Sequence, residues 1–460
     1  MSRASTRGWP RNRTPRSTRW SSSTEVPTSA GRSNRYDPLV TRPIPDPAPP
    51  TRSRASNARW VLMLGSLAAL PAITTDMYLP SLPAVASDLG TSTTAAQLTM
   101  SGMLLGGAVG QLVIGPFSDR YGRRLPVIVG IVLHVITSLL CSVAPTIEAL
   151  VALRVVQGFF NAAAAVVAIA VIRDRFVGSA AARLLSQLML VIGVAPLFAP
   201  TIGQVVAGQW QWRAVFYVLA LVGVVLALVV WRWLPETLPT ERRRIAGPKG
   251  VVVGYAQLVR DRHFIALAVL PGLGMAVIMS YVVGSPFVLQ EDYGLSPAQF
   301  AGVFALNGVA LVASAQLNAA LVRRVAPVRI LRVALVVQLV FAAFLVVVLV
   351  TGLGGVVGVV VALWLVLGMQ GMIPANASVL ALGGYGHMAG TAAALIGALQ
   401  AGVAGLVSPL VGAFGGHGAA MGGVMIASIA VAVAVLAIAT PAYRKGGWHT
   451  MENRAAPPPR

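Results

Sequence analysis

Asp76 and Arg154 are the two ionisable side chains that fall well inside long apolar runs of this chain. Taking such a group out of water is costly, so chains that retain one within hydrocarbon usually use it. A carboxyl and a guanidinium in that setting can move a proton. Desolvation raises the pKa of a carboxyl, a nearby guanidinium lowers it, and a conformational change that alters either influence loads or releases a proton. The guanidinium keeps its own charge throughout. The sequence therefore points to Asp76 as a proton carrier and Arg154 as the charge that tunes it, against the plainer alternative of a static buried ion pair that orients two helices. Gln157, Gly158 and Asn161 follow Arg154 at i+3, i+4 and i+7 and share its helix face. A polar stripe turned to lipid would be expensive, so this face is expected to line a cavity.

Positioning these groups falls to the apolar runs themselves. Of the 460 residues, 56% are apolar and only 11% charged, with a mean hydropathy of +0.76, which an ordinary soluble domain does not match. A span needs about 20 mostly apolar residues. Twelve such segments, spans 1 to 12, lie at 60–80, 94–116, 125–145, 149–172, 184–207, 213–234, 263–289, 298–321, 329–350, 355–382, 389–412 and 420–441. They are too long for barrel strands and lack the alternation of barrel strands. The fold class is an all-α membrane protein with twelve transmembrane helices. Entering span 1 near Val61, Asp76 lies about 22 Å deep at the rise of a helix. Entering span 4 from the other side near Glu148, Arg154 lies about 9 Å down in a core about 30 Å thick. The depths agree, so the two side chains are expected to face each other, directly or through water.

The net charge of +21 raises the question of nucleic acid, and its placement answers it. With an even number of spans both termini share one side, and that side carries 32 of the 35 Lys and Arg. The opposite loops hold Asp88, Glu148, Glu291 and Asp292 against one base, Arg213. This is the positive-inside pattern, so the chain is expected in the cytoplasmic (inner) cell membrane with both termini cytoplasmic and no nucleic-acid partner. Residues 1–59 mix Arg, Ser, Thr and Pro without an apolar period and are expected to be a disordered basic cytoplasmic tail. An extension without function, or a start assigned too far upstream, is the plainer account of it, and a basic arm touching anionic lipid the alternative. An N-terminal six-helix half at 60–234, a polar and basic cytoplasmic linker at 235–262, a C-terminal six-helix half at 263–441 and a cytoplasmic tail at 442–460 complete the layout.

Between spans 2 and 3 lies the charged loop Gly115-Pro116-Phe117-Ser118-Asp119-Arg120-Tyr121-Gly122-Arg123-Arg124. Gly115 and Gly122 permit close backbone approach, Asp119 can pair with a base or cap a helix end, and Arg120, Arg123 and Arg124 hold the loop at the lipid surface. A tie from Asp119 to a base that joins the halves in only one state would make this a conformational gating loop; topology determination is the bland alternative. The loop resembles the G-x-x-x-D-R-x-G-R-R pattern found between helices 2 and 3 of the major facilitator superfamily. Thr75-Asp76-Met77-Tyr78-Leu79-Pro80, Arg154-Val155-Val156-Gln157-Gly158, Trp212-Arg213 and Gly284-Ser285-Pro286-Phe287-Val288-Leu289-Gln290 look like the Bcr/CflA-type multidrug resistance transporters of that superfamily. What this resemblance implies, over about residues 60 to 443, is proton-driven drug efflux by the major facilitator fold, two six-helix halves with a substrate cavity between them. The span 5 stretch from Ala195 to Gln204 is similar to the G-x-x-x-G-P-x-x-G-G pattern associated with exporters, with Ala195, Ala199 and Gln204 in place of glycines. Pro196, Pro200 and Gly203 there are expected to form a tightly packed helix kink.

Tyr78, Gln187, Tyr281, Phe287 and Gln400 complete the expected substrate cavity, since aromatic walls with a few amides suit bulky amphipathic or cationic ligands. Each taken singly also reads as an interhelical contact. His134 and Asn376 read as structural, and the lone Cys141 as a packing residue. No H-E-x-x-H, G-x-S-x-G or Walker-type phosphate loop occurs, and five His with one Cys give no metal-ligand spacing. No enzyme activity, cofactor or metal is expected. The reading is a monomeric proton-coupled antiporter exporting small amphipathic molecules or drugs by alternating access, its partners protons, a small-molecule substrate and the lipid bilayer. A proton-linked symporter taking up a nutrient or metabolite would use the same fold and carboxylate in the opposite direction.

Overall fold

The computed structural model describes residues 54–176, 178–243 and 248–439. The tails expected at 1–59 and 442–460 fall almost wholly outside them. Among the described residues every regular element is a helix. In hydrocarbon each backbone N–H and C=O needs an internal partner, and an apolar run of this length supplies them as a helix. Span 1 comprises α1 (Arg54–Asp76) and α2 (Leu82–Asp88), joined by a 3-10 turn at Leu79–Ser81. Spans 2 to 6 are α3 (Thr93–Tyr121), α4 (Arg124–Ser142), α5 (Ile147–Arg175), α6 (Gly178–Trp210) and α7 (Arg213–Trp233). The linker carries α8 (Pro248–Arg260). Spans 7 to 9 are α9 (Arg262–Pro286), α10 (Pro297–Leu321) and α11 (Pro327–Thr351). Span 10 is α12 (Gly355–Gln370) with α13 (Ile373–Leu382), span 11 is α14 (Ala389–Val407) with α15 (Leu410–Ala413), and span 12 is α16 (Gly418–Ala439). Among the described residues eleven of the twelve have the length and hydropathy of a membrane span; the remaining one, α6, is 33 residues long, and many of its side chains lie outside the described set.

Helix ends follow side-chain chemistry. Ser92 and Thr146 accept from the Ala95 and Ala149 N–H groups at 3.2 and 3.3 Å, and Asp261 from those of His263 and Phe264 at 2.8 and 3.1 Å, capping α3, α5 and α9. Span 1, expected at 60–80, continues to Asp88 after a break whose cause is proline. Pro80 has no N–H for the Asp76 carbonyl, and Pro83 none for that of Leu79. The chain leaves the helical pattern at Met77 and Tyr78, and the Ser81 N–H turns to the Tyr78 carbonyl at 3.0 Å.

The most intimate helix pair is α3 with α5. Gly106 and Gly158 lie so close to the opposing backbones that a methyl group on either would overlap the carbonyl oxygen of Val155 or Met103, and Gly110 similarly meets Phe159. Gly102, Gly106 and Gly110 form a small-xxx-small ladder that lets backbones touch, a signal present in the sequence at four-residue spacing. Gly158→Val is expected to cost about 1–3 kcal/mol by overpacking, read as a lower unfolding temperature in detergent. Gly107→Ala, whose added methyl meets only a carbonyl 3.7 Å away, should leave that temperature unchanged.

The two halves meet along spans 2 and 11 and along spans 5 and 8. At the first seam Ser101 and Ser408 share a hydrogen bond at 3.3 Å, and the Gln97 and Gln111 amides lie against the backbones of Gly412 and Gly397. One apolar cluster holds Met77, Tyr78 and Leu79 together with Tyr281, Phe287 and Leu289, so it belongs to both halves.

Candidate functional site

Arg154 is fully buried, and aromatic faces rather than an acid hold its guanidinium. Its Cζ lies 4.7 Å from the ring centroid of Tyr78 and 5.7 Å from that of Phe216. Each such face is worth about 2 kcal/mol to a desolvated cation. Nη1 donates to Gln157 Oε1 at 2.7 Å, Gln157 Nε2 donates to Ser138 Oγ at 2.7 Å, and Nη2 reaches the Met100 sulfur at 3.7 Å. The Thr99 hydroxyl bonds the Tyr78 phenol at 3.1 Å. Five segments thus converge: α5 brings Arg154 and Gln157, α4 Ser138, α3 Met100 and Thr99, α7 Phe216, and the break after α1 Tyr78.

The direct pairing of Asp76 with Arg154 is not present. No ion pair joins them, and Tyr78 occupies the face that the guanidinium meets. The reason is the break itself: regular helix ends at Asp76, the chain changes direction over Met77 and Tyr78, and it is the Tyr78 ring that the guanidinium meets. Asp76 closes α1, is 6% exposed, and has neither counter-ion nor hydrogen bond among the described residues. Gly203 of α6 presses against the same break: a methyl group there would overlap the Met77 carbonyl oxygen and stand 2.7 Å from its carbon. Pro200 is buried in the same helix, and α6 runs unbroken from Gly178 to Trp210, while the side chain of Pro196 lies outside the described set.

The polar stripe on α5 does not line an open cavity in this structure. Gln157 is buried and spent on Arg154 and Ser138, and Gly158 faces the Met103 backbone, because the glycine ladder draws α3 over that face. Asn161, 2% exposed, has no partner for either amide atom among the described residues. Of the remaining candidates, Tyr78, Tyr281 and Phe287 share the cluster common to both halves, whereas Gln187 and Gln400 are half-buried on spans 5 and 11. Tyr281 stacks on Phe304 at 5.4 Å, and its phenol accepts from Asn307 Nδ2 at 3.1 Å. Asn307 carried no signal in the sequence, since its partner is 26 residues away.

In the loop between spans 2 and 3, Arg123 is the hub. Its guanidinium meets Asp119 at 2.6 Å, Asp174 at 2.7 Å and the Ser118 hydroxyl at 2.8 Å. Asp119 therefore pairs within its own half. The linker helix α8 also meets the N-terminal half, its Tyr255 hydroxyl donating to the Leu112 carbonyl at 3.1 Å. Gly122 has φ +92, and the Glu236 carboxylate fills the space where its Cβ would be. Gly115 approaches nothing closely, Arg120 lies over the Tyr121 ring at 5.4 Å, and Arg124 Nη2 donates to the Trp231 carbonyl at 2.6 Å. Asp174 and Glu236 are parts of this loop that sequence reasoning missed, because their partners lie 51 and 113 residues away.

Glu236 accepts from the N–H groups of Arg123, Thr237, Leu238 and Arg124 at 2.8 to 3.2 Å, capping the start of α4. Burial raises its carboxyl, but these four donors win and hold it below the usual carboxylate range. Stability from such a group is complete above its unfolded pKa and is lost as pH falls through the folded value. Glu236→Gln is expected to cost about 0.5–2 kcal/mol, as losing a cap does. It should also flatten the acid limb of a plot of unfolding temperature against pH.

An all-helical bundle of this architecture, with ionisable groups buried between its helices, is a multi-pass membrane protein, and its family makes it a transporter of small molecules rather than an enzyme. The chain belongs to the Major Facilitator Superfamily, whose family model matches residues 64–409. It is 34% identical over 371 residues to an uncharacterized transporter of this superfamily, YdgK, from Bacillus subtilis (strain 168), covering 80% of this chain and 92% of that one. It is 32% identical to a bicyclomycin resistance protein homolog from Haemophilus influenzae, covering 76% and 88%. A multidrug resistance protein, MdtL, from Klebsiella pneumoniae is 32% identical over 50% of this chain and 58% of its own length. These names support a drug transporter of the Bcr/CflA type. Among solved structures, the xylose transporter XylE from E. coli superposes with TM-score 0.66 at 13% identity over 83% and 97% of the two chains, which speaks for the fold alone.

Proposed function

We propose that this chain is a proton-coupled antiporter that exports small amphipathic molecules or drugs by alternating access, as a monomer in the cytoplasmic membrane with both termini cytoplasmic. One observation carries the reading: Asp76, an acid without a counter-ion, is buried where span 1 breaks. Interrupted spans place backbone and side-chain polarity at the working depth of a transporter. In this reading Asp76 takes up and gives up the coupled proton as the halves rock, while Arg154 supplies fixed positive charge and holds Tyr78. Tyr78, Tyr281 and Phe287 offer the substrate aromatic surface where the halves meet, and Asn161, Gln187 and Gln400 offer amides. The exporter-like stretch from Ala195 to Gln204 and the relatives named for bicyclomycin and multidrug resistance support export over uptake.

The test is a drug-susceptibility and accumulation panel in cells with and without the gene, each with and without a protonophore. The gene is expected to lower accumulation of at least one amphipathic compound, and the protonophore to abolish the difference. Gene-dependent accumulation would mean uptake instead, and efflux that ignores the protonophore would overturn proton coupling.

A further inference from the structure

At one end of the N-terminal half the start of α1, the end of α5 and the end of α7 converge on a cluster of rings and cations. The Arg175 Cζ lies 5.2 Å from the centroid of the Trp60 ring, and the Arg59 Cζ 5.3 Å from that of Trp233. Trp60 meets Phe176 edge-on at 5.9 Å, over an apolar floor that includes Met63, Val230 and Leu234. Both arginines are exposed, and neither has a carboxylate within ion-pair distance among the described residues. The acids that flank the cluster in sequence are committed elsewhere, Asp174 to Arg123 and Glu236 to the start of α4. Leu62, one turn further into the membrane from Arg59, is 68% exposed, and the Trp233 ring that Arg59 covers is still 45% exposed.

We propose that this cluster is a binding site for the headgroup phosphate of an anionic phospholipid, with an acyl chain lying over Leu62 and Trp233. The indoles fix the guanidinium planes without using their N–H groups, so each fork stays free to grip phosphate oxygens in pairs. Two uncompensated positive charges at headgroup depth favour a lipid with net negative charge over a zwitterionic one. The exposure of Leu62 and of the Trp233 ring beside them supplies the apolar contact that a free phosphate ion would not use. Assignment to the cytoplasmic leaflet rests on the orientation proposed above; binding itself does not.

The full-length protein would be reconstituted in vesicles of equal phosphatidylglycerol and phosphatidylcholine, extracted in mild detergent, and its retained lipids counted by native mass spectrometry. Wild-type protein is expected to retain phosphatidylglycerol preferentially. The double substitution Arg59→Gln with Arg175→Gln should cut that preference roughly 30-fold, the scale of losing two basic contacts to an anionic lipid. Arg323→Gln with Arg324→Gln removes the same charge from the exposed loop between spans 8 and 9 and should leave the preference intact. Equal loss in both variants would reduce the effect to general charge, and retention in both would remove the site; either result overturns the proposal. A topology reporter that placed Arg59 outside would reassign the leaflet and leave the lipid result standing.

Discussion

Proteoliposomes carrying Asp76→Asn are expected to lose transport driven by a pH gradient while still exchanging substrate across the membrane. Asn keeps the shape of the side chain and removes its ability to carry a proton. No partner is orphaned by the change, because Asp76 has no ion pair or hydrogen bond among the described residues. Folding is therefore expected to hold or improve, and the unfolding temperature serves as the control. Deleting a group that moves a proton in the working cycle should slow gradient-driven efflux by about 100-fold or more. Counterflow between labelled and unlabelled substrate needs no net proton movement and should continue. Wild-type gradient-driven rates in the variant would remove Asp76 from the coupling step and with it the central assignment.

Much of the fold was legible because hydrocarbon enforces it. Runs such as 213–234 and 329–350 have no alternative to helix, and the structure returns them as Arg213–Trp233 and Pro327–Thr351. Two of the interrupted spans were signalled by proline that went unread: Pro80 and Pro83 end α1 at Asp76, and Pro409 divides α14 from α15. The site was legible in its residue types and less so in its geometry. Depth along a helix can be counted from either end, but the angle around it cannot once the helix breaks, and Tyr78 rather than Asp76 faces Arg154 for that reason. Contacts made at long separation, such as Glu236 to Arg123 and Asn307 to Tyr281, leave no periodic trace at all.

Spans 1 and 7 occupy corresponding places in the two halves, and both lose regular helix near the same apolar cluster. α1 ends at Asp76, and α9 ends at Pro286 before a widened turn over Phe287–Asp292. Paired interruptions in matching positions are where transporters of this architecture collect substrate and ion chemistry. Tyr78 follows the first break and Phe287 begins the second, so the aromatic surface assigned to substrate and the acid assigned to the proton hang on the same two irregularities. Motion that straightens or tightens either break would act on both, which gives coupling a structural route without a wire between distant sites.

That dependence makes Gly203 the sharpest test of the arrangement. Gly203→Ala is expected to reduce transport, and Gly203→Val to abolish it, although neither residue reaches substrate. The added methyl would overlap the Met77 carbonyl oxygen, one residue from Asp76, and the obstacle is backbone rather than a flexible side chain. Relief requires α6 or the break itself to shift, at a cost of about 1–3 kcal/mol. Five residues along the same helix, Gly208 has nothing within 4 Å of its would-be Cβ, so Gly208→Ala should be silent or mildly stabilising. Measured together, the pair separates causes. A fall in gradient-driven efflux with Gly203→Ala, assayed well below its unfolding temperature, with counterflow retained and Gly208→Ala at the wild-type rate, would place the defect in the geometry around Asp76. Wild-type efflux in Gly203→Ala would mean that the break yields freely and that α6 does not hold the proton carrier in position.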